Sequence, residues 1–187
     1  EFALKLEDFY TQFFRVFIGY YDQIAGARLL FNRPETKKMH LVILFPSRND
    51  YLTHVKQEKG NDKLLRESAG FYSGSDRKSR FYWSDNEEET YRTFYHEVAH
   101  QLFAETKATR SSGSRGNNWV VEGIAVYIET WKKIKGNWVP GYEIDSSRMK
   151  IAQRFLAANG DWSLQGFAHI DNDQFHKVNR GLNYCLA

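Results

Sequence analysis

SDNEEETYRTFYHEVAHQLFAET, residues Ser84 to Thr106, reads as one long helix with chemistry in its middle. Ser84 followed three residues later by Glu87 has the form of a capping box. The serine oxygen meets an orphan N–H, and the glutamate reaches back to the cap. Within the helix stands His96-Glu97-Val98-Ala99-His100. Two histidines four apart share a helix face, with about 6 Å between their Cβ atoms, so both imidazoles can reach one ion. Glu97 lies one residue on, about 100° around the axis. That is too far round for a third ligand, yet close enough to take a proton from a water held at the same ion. Zinc suits nitrogen and oxygen donors and leaves a position open for water, whose pKa it lowers towards about 7.

The next helix supplies a third donor. Beyond the polar loop Thr109 to Asn118, the chain from Trp119 to Lys133 is strongly periodic and largely apolar, with Glu122 near its start. A carboxylate there is costly to bury alone and is stabilised by a cation. With His96 and His100 it completes the three protein ligands of a catalytic zinc site. Gly123 beside it allows close approach of another helix.

Working outward, Leu4 to Tyr21 carries aromatic and aliphatic residues at helical spacing. Asn32 to Lys38, with Pro34, interrupts that pattern. His40 to Phe45 reads as a short buried strand, and Ser47 to Lys59 as a helix. Gly70 to Trp83 has the form of a hairpin around the polar turn Ser75 to Ser79. Gly136 to Gly141 is a turn, Ser146 to Ala158 a helix, and Leu182 to Ala187 the opening of another. Strands early and helices late make the class α+β.

His96-Glu97-x-x-His100, followed by Trp119-x-x-Glu122-Gly123-x-Ala125-x-Tyr127-x-Glu129, resembles the gluzincin branch of the zinc metallopeptidases. The second motif is close to that of the M1-type aminopeptidases, whose Gly-Ala-Met-Glu-Asn motif has no counterpart upstream. The Leu-Phe-Pro strand end and the Ala-Gly-Phe-Tyr segment ahead of the histidines resemble the bacterial domain of unknown function 1570 family. The resemblance spans roughly His40 to Ala187. It implies a single zincin-like domain over 1–187, with a small mixed sheet packed on the active-site helix and a helical C-terminal part closing the cleft. It further implies zinc as cofactor and a peptide or protein as substrate. Glu97 would be the general base, and the segment Gly70, Phe71, Tyr72 and Ser73 an edge strand along which substrate lies. For the donor to a developing oxyanion, Tyr184, His176 and His169 are candidates. Tyr184 is favoured because Asn183-Tyr184-Cys185-Leu186-Ala187 resembles the start of a family helix carrying a tyrosine. Glu129, two turns after Glu122, is a candidate partner for a ligating histidine.

The remaining signals are plainer. Tyr127 falls on a different helix face from Glu122 and reads as packing. His40 and His54 read as structural or surface residues, and Trp131, Trp138 and Trp162 as core or groove lining. At 42% hydrophobic and 26% charged the chain has the composition of a globular domain. A net charge of +3 with scattered lysines and arginines gives no case for nucleic acid. No apolar run is long enough to span a bilayer. One cysteine, Cys185, excludes an internal disulfide and leaves the compartment open; it reads as a small buried hydrophobe. The absence of an initiator Met or leader at Glu1, and the unfinished helix at Ala187, read as a fragment of a longer chain. Oligomeric state is open. Two rivals to a peptidase remain at this level: a peptide-binding module that has lost turnover, and a zinc hydrolase of a non-peptide amide or ester.

Overall fold

The computed structural model describes residues 2–22, 40–60, 62–106, 118–141, 146–160 and 162–187. Sequence readings at Asn32 to Lys38 and in most of the loop Thr109 to Asn118 lie outside these. Two compact units divide the chain, Glu1–Ala108 and Thr109–Ala187.

The first unit is layered about a three-stranded sheet. Its strands are β1 (Leu41–Phe45), β2 (Gly70–Ser73) and β3 (Lys78–Tyr82), in the order β1-β3-β2. β1 runs parallel to β3, while β2 and β3 form the antiparallel hairpin expected from the Gly-rich aromatic stretch. The sheet is therefore mixed. β1 is only half-buried, not the fully enclosed strand its apolar run suggested, and Leu41 at its start is exposed.

Alternation along β3 sorts the layers, because successive side chains face opposite ways. Arg80 and Tyr82 face α2 (Arg48–Lys59), whose N-terminus is capped by Ser47 accepting from the Asp50 N–H. Tyr51 and Val55 of α2, with Phe71 of β2, form the core on that side, joined by Leu65 of the short α3 (Lys63–Glu67). Ser79 and Phe81 face the long helix α4 (Glu87–Thr106). Behind α4 runs α1 (Phe2–Asp22), seated by a ladder of rings: Phe2 and Phe9 on Phe94, and Phe13 on Phe103. This ladder is the reason the Leu4 to Tyr21 periodicity is so aromatic.

The start of α4 differs from expectation. The cap is Asn86, whose side chain accepts from the Glu88 N–H at 3.0 Å. Ser84 lies outside the helix, accepting from the Asn86 N–H and donating to Glu89. Glu87 is thus the first helical residue, and the acidic run Glu87, Glu88 and Glu89 complements the positive end of the helix dipole.

In the second unit, α5 (Asn118–Glu129) is followed by a hairpin of β4 (Lys132–Ile134) and β5 (Asn137–Val139). The helix expected to reach Lys133 therefore ends at Glu129. Its turn carries positive φ at Lys135 (49°) and Gly136 (82°), the signature of a type I′ hairpin. α6 (Ser146–Ala158) has the bounds read from sequence. Three short helices complete the unit: α7 (Leu164–Ala168), α8 (Asn172–Lys177) and α9 (Arg180–Leu186). Ala125, Ile128, Trp131, Phe167 and Phe175 are its buried apolar residues. Trp162 packs on Phe167, while Tyr127, read as packing, stands 47% exposed with its ring edge on Trp131. Cys185 is half-buried. Among the described residues no helix is long and apolar enough to cross a membrane.

Candidate functional site

In the first unit α4 places His96 and His100 on adjacent turns. Their rings are inclined at 80° with centroids 4.7 Å apart, and the two Nε2 atoms meet at 3.1 Å. At that distance one ring nitrogen donates and the other accepts. Two zinc–nitrogen bonds of about 2.0–2.1 Å at a tetrahedral angle place their nitrogens about 3.3 Å apart, so the pair fits a shared ion with a shift of tenths of an ångström.

Glu97 faces another way. Its Oε2 accepts the main-chain N–H of Tyr72 at 2.8 Å, and its carbonyl lies 3.3 Å from Ser79 Oγ. Glu97 is thereby tied to β2, the strand at the end of the sheet order. Of the three residues expected to meet substrate there, Gly70 and Tyr72 lie on the α4 side. The Phe71 side chain lies on the other, only 8% exposed, beneath the Arg80 guanidinium and against Tyr51. It contributes main chain only.

Sequence reasoning missed a polar row on the same helix. Glu97, Gln101 and Glu105 are spaced four apart and drift only about 40° per step. Gln101, fully buried, accepts from Ser79 Oγ at 2.9 Å. Its Nε2 lies 3.1–3.3 Å from Glu105 Oε1, the Leu41 carbonyl and the Arg77 carbonyl. Glu105 also takes His40 Nδ1 at 2.7 Å. Burial works to raise the Glu105 carboxyl, but hydrogen bonds from His40 and Gln101 overcome it and hold it below the usual range. The signal was present: two polar residues at i+4 and i+8 from Glu97, on a helix packed against a sheet.

In the second unit Glu122 lies on α5, largely buried, with His176 Nε2 at 3.7 Å from its Oε1. His176 comes from α8, whose final carbonyls are held by Asn183: its Nδ2 donates to Phe175 and Val178, each at 2.8 Å. Tyr184 of α9 stands one ring further back, 6.1 Å from the His176 ring and 5.4 Å from Phe175. His169 is spent elsewhere, its Nδ1 meeting the Gln165 carbonyl at 2.6 Å at the end of α7. His176 thus stands beside Glu122. Gly123 does allow a close helix approach, since a β-carbon there would overlap the Ala187 carbonyl. Glu129 pairs with Arg148 at 3.2 Å, joining α5 to α6.

Family models, curated proteins and solved structures offered no match to this chain.

Proposed function

We propose that the chain is a zinc-dependent peptide hydrolase of the gluzincin type, on a zincin-like fold. In it His96 and His100 of the first unit and Glu122 of the second hold one zinc ion. The observation that carries this reading is the meeting of the two Nε2 atoms at 3.1 Å while the neighbouring Glu97 is tied to the edge strand. A helix that merely buried two histidines would have no use for that combination. The sheet adds support, with β2 antiparallel at its edge and the helix packed beneath. Zinc, when bound, supplies Lewis acidity that polarises a carbonyl and acidifies water.

The chain's own residues do the rest. Glu97 keeps one carboxylate oxygen on Tyr72 and offers the other as the general base. It then returns the proton to the leaving amine. His176, beside Glu122, is placed to donate to the developing oxyanion, and Tyr184 backs its ring. The outward main chain of Gly70 and the Tyr72 carbonyl receive an extended substrate, the Tyr72 N–H being kept on Glu97.

Elemental analysis of metal tests the reading. Near one zinc per wild-type chain, and a clear loss in Glu122→Ala, are expected. A wild type that holds none after a zinc challenge overturns it. Glu97→Gln should keep the zinc and lose hydrolysis of a quenched peptide library by about 10²-fold or more. Zinc retention with no wild-type turnover on peptides would instead point to a binding module or a different substrate bond.

A further inference from the structure

The edge strand does something besides present main chain to a substrate. Tyr72 touches α4 at two places, two turns apart. Its N–H reaches Glu97 at 2.8 Å, and its phenol oxygen stands 3.5 Å from Glu105 Oε1. Pairing of Tyr72 with Ser79 and of Phe71 with Arg80 fixes the register of β2 on β3. Because the Tyr72 N–H goes to Glu97, it faces away from β3.

The far end of this bridge is firm. The Glu105 side chain is only 5% exposed and is held by His40, by Gln101 and, at 3.9 Å, by Arg77. Gln101 in turn holds Ser79, the cross-strand partner of Tyr72. The bridge therefore closes a ring through β2, β3 and α4 whose side-chain links are polar contacts shielded in part or in full from solvent. Such links are directional, unlike apolar packing, and restrict rotation of the helix about its axis.

We propose that Tyr72 is the positioning residue for Glu97: its phenol, anchored on Glu105, sets the edge strand so that its main-chain N–H holds one carboxylate oxygen and aims the other. Naming Glu97 as the base rests on the reading above; the latch itself does not. A carboxylate with one oxygen fixed loses the rotations that would swing it towards the imidazoles, so the base stays out of the ligand set while remaining beside it. Phenylalanine would fill the same space and lose the anchor.

Amide hydrogen exchange of the whole protein, read residue by residue by NMR, tests this without a substrate. An edge-strand N–H turned away from its neighbour exchanges freely unless something holds it. Tyr72 should therefore be protected in the wild type and exchange at least tenfold faster in Glu97→Ala. In Glu97→Gln, whose amide oxygen still accepts, protection should return. Tyr72→Phe should speed exchange at residue 72 several-fold, while the ladder amides of β3 and the bound zinc are unchanged. A purely structural phenol would instead lower protection across the sheet. Equal exchange at Tyr72 in the wild type and Glu97→Ala overturns the latch even if the protein holds zinc. Protection lost on Glu97→Ala in a protein that holds no zinc upholds the latch and overturns only the metal reading.

Discussion

The guanidinium of Arg80 is fully enclosed, yet it meets two carboxylates and an imidazole. Asp76 binds it from the β2–β3 turn, Glu58 lies at 2.9 Å and His54 Nε2 accepts from Nε at 3.1 Å. A buried cation persists only when paired in this way, and removing one partner is costly. The hydrogen bond from Arg80 is the chief reason the Asp76 carboxyl falls to about 2. Its folded pKa is depressed, so its contribution is present above the unfolded value of about 3.9 and is lost as pH falls towards 2. Acid titration of stability should show a steeper loss between about pH 4 and 2 in the wild type than in Asp76→Asn. Superimposable acid limbs would show that the pair does not differ between folded and unfolded chains. His54, read from sequence as structural or surface, belongs to this group. Arg80 lies 22 residues from Glu58 and 26 from His54, on another element, and spacing along one chain does not reveal such neighbours.

Among the elements, β2 is set against α4 by the absence of a side chain. A β-carbon at Gly70 would come within 2.7 Å of the Arg80 carbonyl, 2.8 Å of Phe81 Cβ and 3.0 Å of Thr93 Cγ2. Two of these are backbone or rigidly held. Gly70→Ala should cost about 1–3 kcal/mol in a denaturant titration, as overpacking does. It should also move the Tyr72 N–H away from Glu97. An unchanged midpoint would mean that the strand has room to shift. The hairpin and the helix ending at Ala158 were readable because both follow a clean period closed by Gly or polar residues. The end of α5 was not. Lys132-Lys133-Ile134 continues a helical pattern, but Thr130 turns its Oγ1 to the Tyr127 carbonyl at 2.6 Å and accepts the Gly141 N–H at 3.0 Å. The helix stops where the turn beyond β5 offers Thr130 a partner, and that partner lies eleven residues downstream. The three proposed metal donors and the proposed base were visible as residue types at fixed spacing. The nearness of His176 to Glu122 was not, because it depends on how α8 folds back on α5.

For the whole molecule, the two compact units divide the proposed ligands between them: His96 and His100 on one side of the boundary, Glu122 on the other. An ion bound only by the folded chain adds stability by mass action, about 2.7 kcal/mol at one hundred times its Kd. Zinc should therefore raise the unfolding temperature of the wild type, and a chelator should lower it. His96→Ala and Glu122→Ala should each lose most of that response. A shift of equal size in the variants would assign the zinc to some other place. Four of the five tryptophans (Trp119, Trp131, Trp138 and Trp162) belong to the second unit and only Trp83 to the first. Fluorescence excited at tryptophan thus reports mainly on residues beyond the boundary. The first unit needs a reporter of its own, and Arg80 supplies one. Sealed in its layer, it is beyond the reach of dicarbonyl reagents that label exposed arginines within minutes. Its modification, followed by mass spectrometry, becomes a clock for how often the sheet parts from α2.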